Sequence, residues 1–164
     1  EDKELMTAAG VPEQKITVIP HGVDCSAFEH PRGHRWRKLL GIASETTVLF
    51  FHGTLHYWPN TEAVRFIAAE LLPLLRAQLG PFKVVITGLS PPLYYSAPEI
   101  LFTGPVDDLA GHIDMADVCI CPLFAGGGTR LKLLEYLAAG KAVVSTRKGA
   151  EGIPDEGQFL LLAA

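Results

Sequence analysis

Short apolar runs alternate with stretches of helical periodicity along most of the chain. The apolar runs are rich in β-branched residues and bounded by Gly or Pro, a pattern that predicts buried strands. Five strands are predicted in the regular part, with a candidate sixth near the end: residues 46–51, 83–87, 100–103, 118–121, 142–145 and 159–162. A helix is predicted between the first two strands, from an apolar stripe formed by Ala63, Phe66, Ile67, Leu71 and Leu74.

Three polar or breaker residues are expected to shape the helices. Asn60 is predicted to cap the helix after the first strand, and Pro73 is expected to kink it. Asp107 or Asp108 is predicted to open a short helix after the third strand.

The first 31 residues follow a less regular pattern. Residues 2–9 look helical, residues 16–19 are predicted as a short strand stopped by Pro20, and residues 21–31 contain several breakers. A helix is predicted at residues 36–40. We interpret residues 1–31 as a linker-like segment and residues 32–164 as one domain. Because the chain begins without Met, we interpret it as a piece of a longer protein.

The alternation of strands with helices predicts an α/β fold, a Rossmann-like doubly wound parallel sheet with helices on both faces. In open sheets of this kind, ligands bind beyond the carboxyl ends of the strands, near the point where the strand order reverses. Functional residues are therefore expected in the loops at residues 52–58, 88–98, 104–108 and 123–129.

The glycine-rich loop after the fourth predicted strand is the best candidate for a binding site. Gly126, Gly127, Gly128 and Thr129 stand between a predicted strand and a predicted helix. Glycines let a backbone approach a ligand closely, and a helix start supplies unpaired N–H donors, which together suit an anion. The loop has neither the Gly-x-Gly-x-x-Gly pattern nor the Walker pattern. A flexible turn is the alternative interpretation, and the loop alone does not separate the two.

Two cations and one carboxylate follow this loop. Arg130 and Lys132 are placed to meet an anion at the helix start, and Glu135 is one turn further in, where a carboxylate can bind ribose hydroxyls. The alternative for Lys132 and Glu135 is an exposed ion pair of little energetic value. His52 and His56, in a loop after the first strand, are interpreted as solvated surface.

Composition narrows the class of protein. The chain has 164 residues, a net charge of −4 and no long basic run, so we expect no nucleic-acid partner. No apolar run approaches the roughly 20 residues that span a bilayer. Cys25, Cys119 and Cys121 are interpreted as reduced thiols, which favours a location in a reducing compartment. We therefore expect the protein in the cytoplasm or at the inner face of the membrane. No Asp-x-Asp cluster is present, so neither a metal nor another cofactor is expected.

Several motifs, taken in order, carry a family resemblance. They are Ile-Thr-Val-Ile-Pro-His-Gly-Val-Asp at 16–24, Phe-His-Gly-Thr-Leu at 51–55, Val-Val-Ile-Thr-Gly at 84–88, Leu-Phe-Thr-Gly-Pro-Val-Asp-Asp-Leu at 101–109, and the block at 116–146. Together they resemble the retaining glycosyltransferases of family 4, which have the two-domain GT-B fold. Residues 57–60 and 130–132 resemble a subgroup linked to bacterial exopolysaccharide assembly.

The resemblance implies the C-terminal, nucleotide-sugar-binding half of a hexosyltransferase-like enzyme. Glu135 matches the second of two glutamates in the family motif, which implies a ribose contact. The first of these glutamates corresponds to Gly127, so its carboxylate is missing from this sequence. Many members of the family place an Arg and a Lys against the diphosphate. The corresponding positions in this sequence are Thr54 and about Pro59, neither of which is basic, so Arg130 and Lys132 are the expected catalytic replacements. The implied donor contacts are Gly53, Thr54, Gly88, Val106, Gly126, Gly127, Gly128, Thr129 and Glu135.

The implied reaction transfers a sugar from a nucleoside diphosphate sugar to a glycan or lipid-linked acceptor, with retention and without a metal. The acceptor would bind largely to an N-terminal domain that this chain lacks, so the fragment is expected to be inactive alone and able to self-associate. Alternatives are a GT-B nucleotide-sugar epimerase, a nicotinamide-binding domain and a non-catalytic interaction module. The first strand has no glycine fingerprint, which argues against the nicotinamide-binding domain.

Overall fold

The computed structural model describes residues 2–153 and 156–163, and within these ranges one six-stranded sheet forms the centre of the fold. Its order is β3-β2-β1-β4-β5-β6, and every neighbouring pair is parallel. The predicted doubly wound parallel sheet is confirmed, and its sixth strand is present but begins at Leu161, two residues later than predicted, because Phe159 ends a short helix. The strands are β1 (Thr47–His52), β2 (Phe82–Thr87), β3 (Ile100–Gly104), β4 (Val118–Cys121), β5 (Ala142–Thr146) and β6 (Leu161–Ala163).

The strand order reverses between β1 and β4. The sheet first grows outward from β1 through β2 to β3, and the chain then returns to place β4 on the other side of β1. Because crossovers are right-handed, helices that follow strands on the two sides lie on opposite faces of the sheet. The helices are α1 (Asp2–Ala8), α2 (Gly33–Leu39), α3 (Trp58–Phe66), α4 (Leu72–Gln78), α5 (Leu109–Asp114), α6 (Leu131–Ala138) and α7 (Glu156–Phe159).

The core lies along the two central strands. Val48, Phe50 and Phe51 of β1 have no exposed surface, and neither does Cys119 of β4. Strands buried on both faces explain why the sequence shows continuous apolar runs instead of alternation. The two cysteines of β4 are buried free thiols, as predicted.

The helix after β1 differs from its prediction at both ends. Tyr57 is the N-cap and Trp58 the first residue, so Asn60 lies inside the helix and the prediction that it caps the helix is wrong. Before Pro73 the helix widens into a π-helical segment, Ile67–Leu71, in which the Leu72 N–H donates to the Ile67 carbonyl five residues back. Because proline lacks an N–H and clashes with the preceding turn, the wider turn accommodates Pro73 without ending the helix.

The predicted strand at residues 16–19 is wrong. The segment has no regular structure, and its Val18 and Ile19 are 67% and 83% exposed. An apolar run forms a strand only where it can pair with a neighbour, and this one lies on no sheet edge. The helix predicted at 36–40 begins three residues earlier, at Gly33. The predicted cap by Asp108 is confirmed, since its carboxylate accepts a hydrogen bond from the Gly111 N–H at 3.0 Å.

One carboxylate fastens the start of α2 to the rest of the domain. Asp114 Oδ2 accepts hydrogen bonds from the N–H groups of Arg32 and Gly33, both at 2.6 Å. The helix comes so close that a Cβ on Gly33 would lie 2.5 Å from the Asp114 backbone. Trp36 adds a hydrogen bond from its indole N–H to Asp108 at 2.8 Å. The chain is therefore fixed to the sheet domain from Arg32 onward.

Candidate functional site

A cavity of about 350 Å³ opens where the strand order reverses, beyond the carboxyl ends of β1 and β4. The floor comes from the last residues of β1 and from the segment after β4. Its walls are the first turns of α3 and α6, which leave the sheet on opposite faces. This is the position at which open parallel sheets bind ligands. The lining residues are His52, Gly53, Tyr57, Pro59, Asn60, Leu123, Ala125, Thr129, Arg130, Leu131, Lys132 and Glu135.

Lys132 is a desolvated cation on the wall of this cavity. Its Nζ donates a hydrogen bond to Asn60 Oδ1 at 2.9 Å and lies 4.2 Å from the centre of the Phe51 ring. Burial lowers the pKa of Lys132 to about 8, although the Cys121 and Glu135 side chains favour the charged form. An exposed Lys132–Glu135 ion pair, the alternative interpretation, is not what the structure shows, because each of the two has a different partner.

Glu135 is paired with the last residue of β1. Its Oε2 lies 3.1 Å from His52 Nε2, and the His52 side chain is only 13% exposed. Burial lowers the pKa of His52, while the neighbouring Glu135 opposes the shift. His52 is thus predominantly neutral near pH 7, and its ring lies beside the Glu135 carboxylate. The prediction that His52 is solvated surface is wrong, whereas His56 is exposed as predicted.

Arg130 is turned onto the glycine loop. Its guanidinium donates to the carbonyl of Gly127 and, at 3.4 Å, to that of Ala125, and it lies 3.9 Å from Glu151. The side chain is 10% exposed, and its Nε is buried without a hydrogen-bond partner in the described part of the chain. Arg130 still lines the cavity, but its main contacts hold the loop that precedes α6.

The glycine loop contributes to the cavity unevenly. Thr129 and the first turn of α6 line it, and the Arg130 side chain makes no capping hydrogen bond to that turn. Gly126 has φ of +95°, a left-handed conformation that favours glycine, whereas a Cβ there would make only ordinary contacts, 3.4 Å from Arg130 and 3.5 Å from Pro59. Gly127 and Gly128 line a separate cavity of about 360 Å³ on the other side of the loop.

The predicted contacts that follow β1, β2 and β3 lie in an adjoining cavity of about 280 Å³. Gly53, Thr54, Gly88 and Val106 all line it, and it shares His52 and Gly53 with the central cavity. At Gly88 a Cβ would overlap the Gly53 carbonyl, so the ends of β1 and β2 meet only because this residue is glycine. The structure therefore places Gly53, Thr54, Gly88, Val106, Thr129 and Glu135 around connected spaces at one edge of the sheet, whereas Gly127 and Gly128 face the separate cavity.

A fourth cavity, of about 550 Å³, lies between the linker-like segment and the start of α5. Glu135 lines this cavity as well as the central one, so its carboxylate stands between the two. Asp107 and Asp108 line the fourth cavity opposite residues of the 23–32 segment.

Asn60 is the residue that sequence reasoning placed incorrectly. It was expected only to cap a helix, yet it is 7% exposed and bonded to Lys132, which is 72 residues further along the chain. Its sequence signals are its position two residues beyond the loop predicted at 52–58 and its place in the 57–60 segment that carries part of the family resemblance. His52 was placed in the correct loop, but nothing in the sequence shows its burial against Glu135.

No group of three His, Cys, Asp or Glu side chains is placed to hold a metal ion in residues 2–153 and 156–163. No helix in those same ranges is long and apolar enough to cross a bilayer.

Comparison with known proteins identifies the family. The model described as glycosyl transferases group 1 matches residues 46–164. Two D-inositol 3-phosphate glycosyltransferases are similar: that of Acidothermus cellulolyticus is 27% identical over 165 residues, and that of Geodermatophilus obscurus is 28% identical over 183. The alignments cover 91% and 96% of this chain but 37% and 40% of the relatives, so the chain spans less than half of their length.

A solved structure shows the same fold. The crystal structure of HepE from Anabaena, in complex with UDP and glucose, superposes with a TM-score of 0.76 at 17% identity, covering 99% of this chain and 46% of that one. The predicted half of a GT-B fold is thus confirmed, and so is the expectation of a glycosyltransferase domain. The chain belongs to the glycosyl transferases group 1 family.

Proposed function

We propose that this chain is the donor-binding half of a retaining, family 4 glycosyltransferase, and that the diphosphate of a nucleoside diphosphate sugar binds in the central cavity. The observation that carries the proposal is the meeting of Lys132, Glu135 and the first turn of α6 at the point where the strand order reverses. The HepE structure contains UDP, which supports a nucleotide donor for a domain of this fold.

The chemistry of the cavity suits a diphosphate leaving group. As the bond to the sugar breaks, negative charge develops on the diphosphate, and groups that stabilise this charge accelerate the reaction. Lys132 supplies a desolvated positive charge, and the α6 amides supply oriented N–H dipoles. Arg130 adds positive potential from the glycine loop, where its guanidinium is held by the carbonyls of Gly127 and Ala125.

The nucleoside would extend away from the diphosphate past Glu135. A carboxylate accepts hydrogen bonds from ribose hydroxyls, and Glu135 lies 3.1 Å from His52, which lines the same cavity. The base would then lie against Gly88 and Val106, which line the adjoining cavity with Gly53 and Thr54. The residue that corresponds to the first glutamate of the family motif is Gly127, which has no carboxylate to bind the sugar. The backbone of Gly126 to Thr129 would therefore hold the sugar instead.

We propose that an N-terminal domain binds a glycan or lipid-linked acceptor, that the product belongs to an exopolysaccharide, and that the reaction takes place in the cytoplasm or at the inner face of the membrane. Alone, the 164-residue chain would bind donor weakly and transfer nothing. It could self-associate through the surface that the missing domain would cover.

The test is calorimetry of the chain with UDP, GDP and ADP, followed by kinetics of the intact enzyme. Glu135→Ala is expected to raise the donor KM, because ribose binding is lost, and Arg130→Ala to lower kcat. If both variants keep the unmodified donor KM and kcat, the site assignment is wrong. Conversion of donor to free sugar and nucleotide without an acceptor would indicate the epimerase instead.

A further inference from the structure

Asn60 connects the two helices that flank the central cavity. It lies in the first turn of α3, and its side-chain amide crosses the crevice to Lys132 in the first turn of α6. The Nδ2 donates to the Thr54 carbonyl at 2.9 Å, and Oδ1 accepts from Lys132 Nζ at 2.9 Å. A carbonyl can only accept and an ammonium can only donate, so these partners fix the orientation of the amide.

The surroundings leave no room for movement of this amide. Asn60 is 7% exposed, and a Cβ on Gly53 would lie 2.7 Å from its Nδ2. The end of β1 therefore packs directly against the amide. A lysine side chain has four rotatable bonds and is flexible when free, so a fixed acceptor at its tip removes most of that freedom before a ligand arrives.

The neutrality of Asn60 matters because of the charges around Lys132. Glu135 and Arg130 face it from its own helix and N-cap, His52 faces it from β1, and Cys121 from β4. A carboxylate at position 60 would form an ion pair with Lys132 and compete with an anionic ligand for its charge. An amide accepts one of the three ammonium N–H bonds and leaves the net charge available.

We propose that Asn60 is a positioning residue of the donor site, which holds the Lys132 ammonium at the cavity wall and, being uncharged, leaves its positive charge to the diphosphate. This inference rests on the proposed function and deepens it. Asn60 takes no part in the reaction itself and acts through Lys132. It also ties the loop after β1 to the same point, through the Thr54 carbonyl.

The next residue of α3 provides a matched control. The Thr61 hydroxyl donates to the Leu55 carbonyl at 2.6 Å, so Thr61 anchors the same loop as Asn60 but does not line the cavity. Thr61→Val removes that anchor at nearly constant volume. Asn60→Ala removes the acceptor for Lys132, and Asn60→Asp replaces the neutral acceptor with a charged one.

The experiment measures the pKa of Lys132 by NMR of isotope-labelled lysine, assigned with Lys132→Met, and the Kd for UDP by calorimetry in each variant. Asn60→Asp is expected to raise the pKa of Lys132 and weaken UDP binding, because the new carboxylate neutralises the cation. Asn60→Ala is expected to weaken UDP binding about 10- to 100-fold, the range for a lost hydrogen bond to a charged group. Thr61→Val is expected to stay within about twofold, since it keeps every contact of Lys132.

In the intact enzyme, the alkaline limb of the donor kcat/KM profile is expected to move to higher pH in Asn60→Asp and to stay in place in Thr61→Val. The inference is overturned if the Asn60 variants match Thr61→Val in UDP affinity while the unmodified protein binds UDP. An unchanged pKa of Lys132 in Asn60→Asp overturns it without any ligand. If the unmodified protein binds none of UDP, GDP and ADP, the proposed function fails and this inference fails with it.

Discussion

Lys132 carries its positive charge at a place where the protein gives it little solvation. Burial between Phe51 and Asn60 lowers its pKa to about 8, so a small rise above neutral pH removes the charge. A bound diphosphate would favour the charged form and raise this pKa again. Ligand binding at this residue is therefore coupled to protonation.

This coupling predicts a pH dependence for donor binding. UDP affinity is expected to be constant below pH 7 and to fall as pH rises through about 8, approaching tenfold per pH unit, because the free protein loses the proton that the complex keeps. Calorimetry from pH 6.5 to 9.5 measures it. Lys132→Met should bind about 10- to 100-fold more weakly at pH 7 and show no decline across the same range. A decline of equal steepness in that variant would assign the titration to another group.

His52 predicts a pH dependence of stability with the opposite direction. Burial lowers its pKa in the folded protein, so below pH 6.5 the unfolded chain binds a proton that the folded chain resists. Stability should fall as pH drops below 6.5. In His52→Val the Tm should change less between pH 7.5 and pH 5.5 than in the unmodified protein, as measured by thermal denaturation. Replacement of the exposed His56 by Gln should leave the slope unchanged.

At the scale of single residues, the sequence could predict only neighbours along the chain. Lys132 and Glu135 are three apart on one helix, and their association with the glycine loop was visible from that spacing. Their actual partners are Asn60 and His52, which are 72 and 83 residues away and come from the other side of the strand reversal. No periodicity or spacing reports such a contact, because it depends on which strands become neighbours.

At the scale of elements, the strands were predictable because each lies buried between neighbours and shows a continuous apolar run. The same reasoning failed at residues 16–19, where an apolar run has no strand beside it. The start of α3 was misplaced because Asn60 is a favoured cap residue, whereas Tyr57 fills that position without a side-chain capping bond. Local preference gave way here to the hydrogen bond with Lys132.

Close contact between the ends of β1 and β2 predicts a cost for any side chain at Gly88. Gly88 has φ of +147°, and a Cβ there would overlap the Gly53 carbonyl. Gly88→Ala should destabilise the fold by about 1–3 kcal/mol and weaken UDP binding, because the displaced strand end carries Gly53 and Thr54. Chemical denaturation and calorimetry measure the two effects. Gly80→Ala is the control, since a Cβ at Gly80 meets nothing within 4 Å, and a similar loss there would contradict the explanation.

At the scale of the whole molecule, the site follows from one topological fact. Strand β4 lies beside β1, so the loops after these two strands open away from each other and leave a crevice between α3 and α6. The sequence predicted which loops reach this edge of the sheet, because every strand of a parallel sheet ends there. It could not predict which of the loops adjoin, since strand order is set by the crossovers and by packing of the helices.

The attachment of α2 to the sheet domain depends on one half-buried carboxylate, that of Asp114. Desolvation raises the pKa of Asp114, but hydrogen bonds from the N–H groups of Gly33 and Arg32 and from Lys141 outweigh it, so the net pKa is lowered. An acid with a lowered folded pKa stabilises the protein above the unfolded value of 3.8, and this contribution is lost as pH falls through the folded pKa. Near neutral pH the carboxylate is therefore fully effective in holding residues 32 and 33 in place.

Asp114→Asn should loosen the start of α2 more than it alters the sheet. The amide accepts hydrogen bonds more weakly than a carboxylate and loses the ion pair with Lys141, so the expected cost at pH 7 is about 1–3 kcal/mol. A loss of that size lowers the Tm by roughly 2–12 °C in a domain of this length. The difference from the unmodified protein should shrink as pH approaches 3. Hydrogen exchange should accelerate at residues 32–35 while β1 and β4 stay protected, and the exposed Glu29→Gln should reproduce neither effect. Equal acceleration across the central strands would show that Asp114 supports the whole sheet and not the attachment of the segment that leads into it.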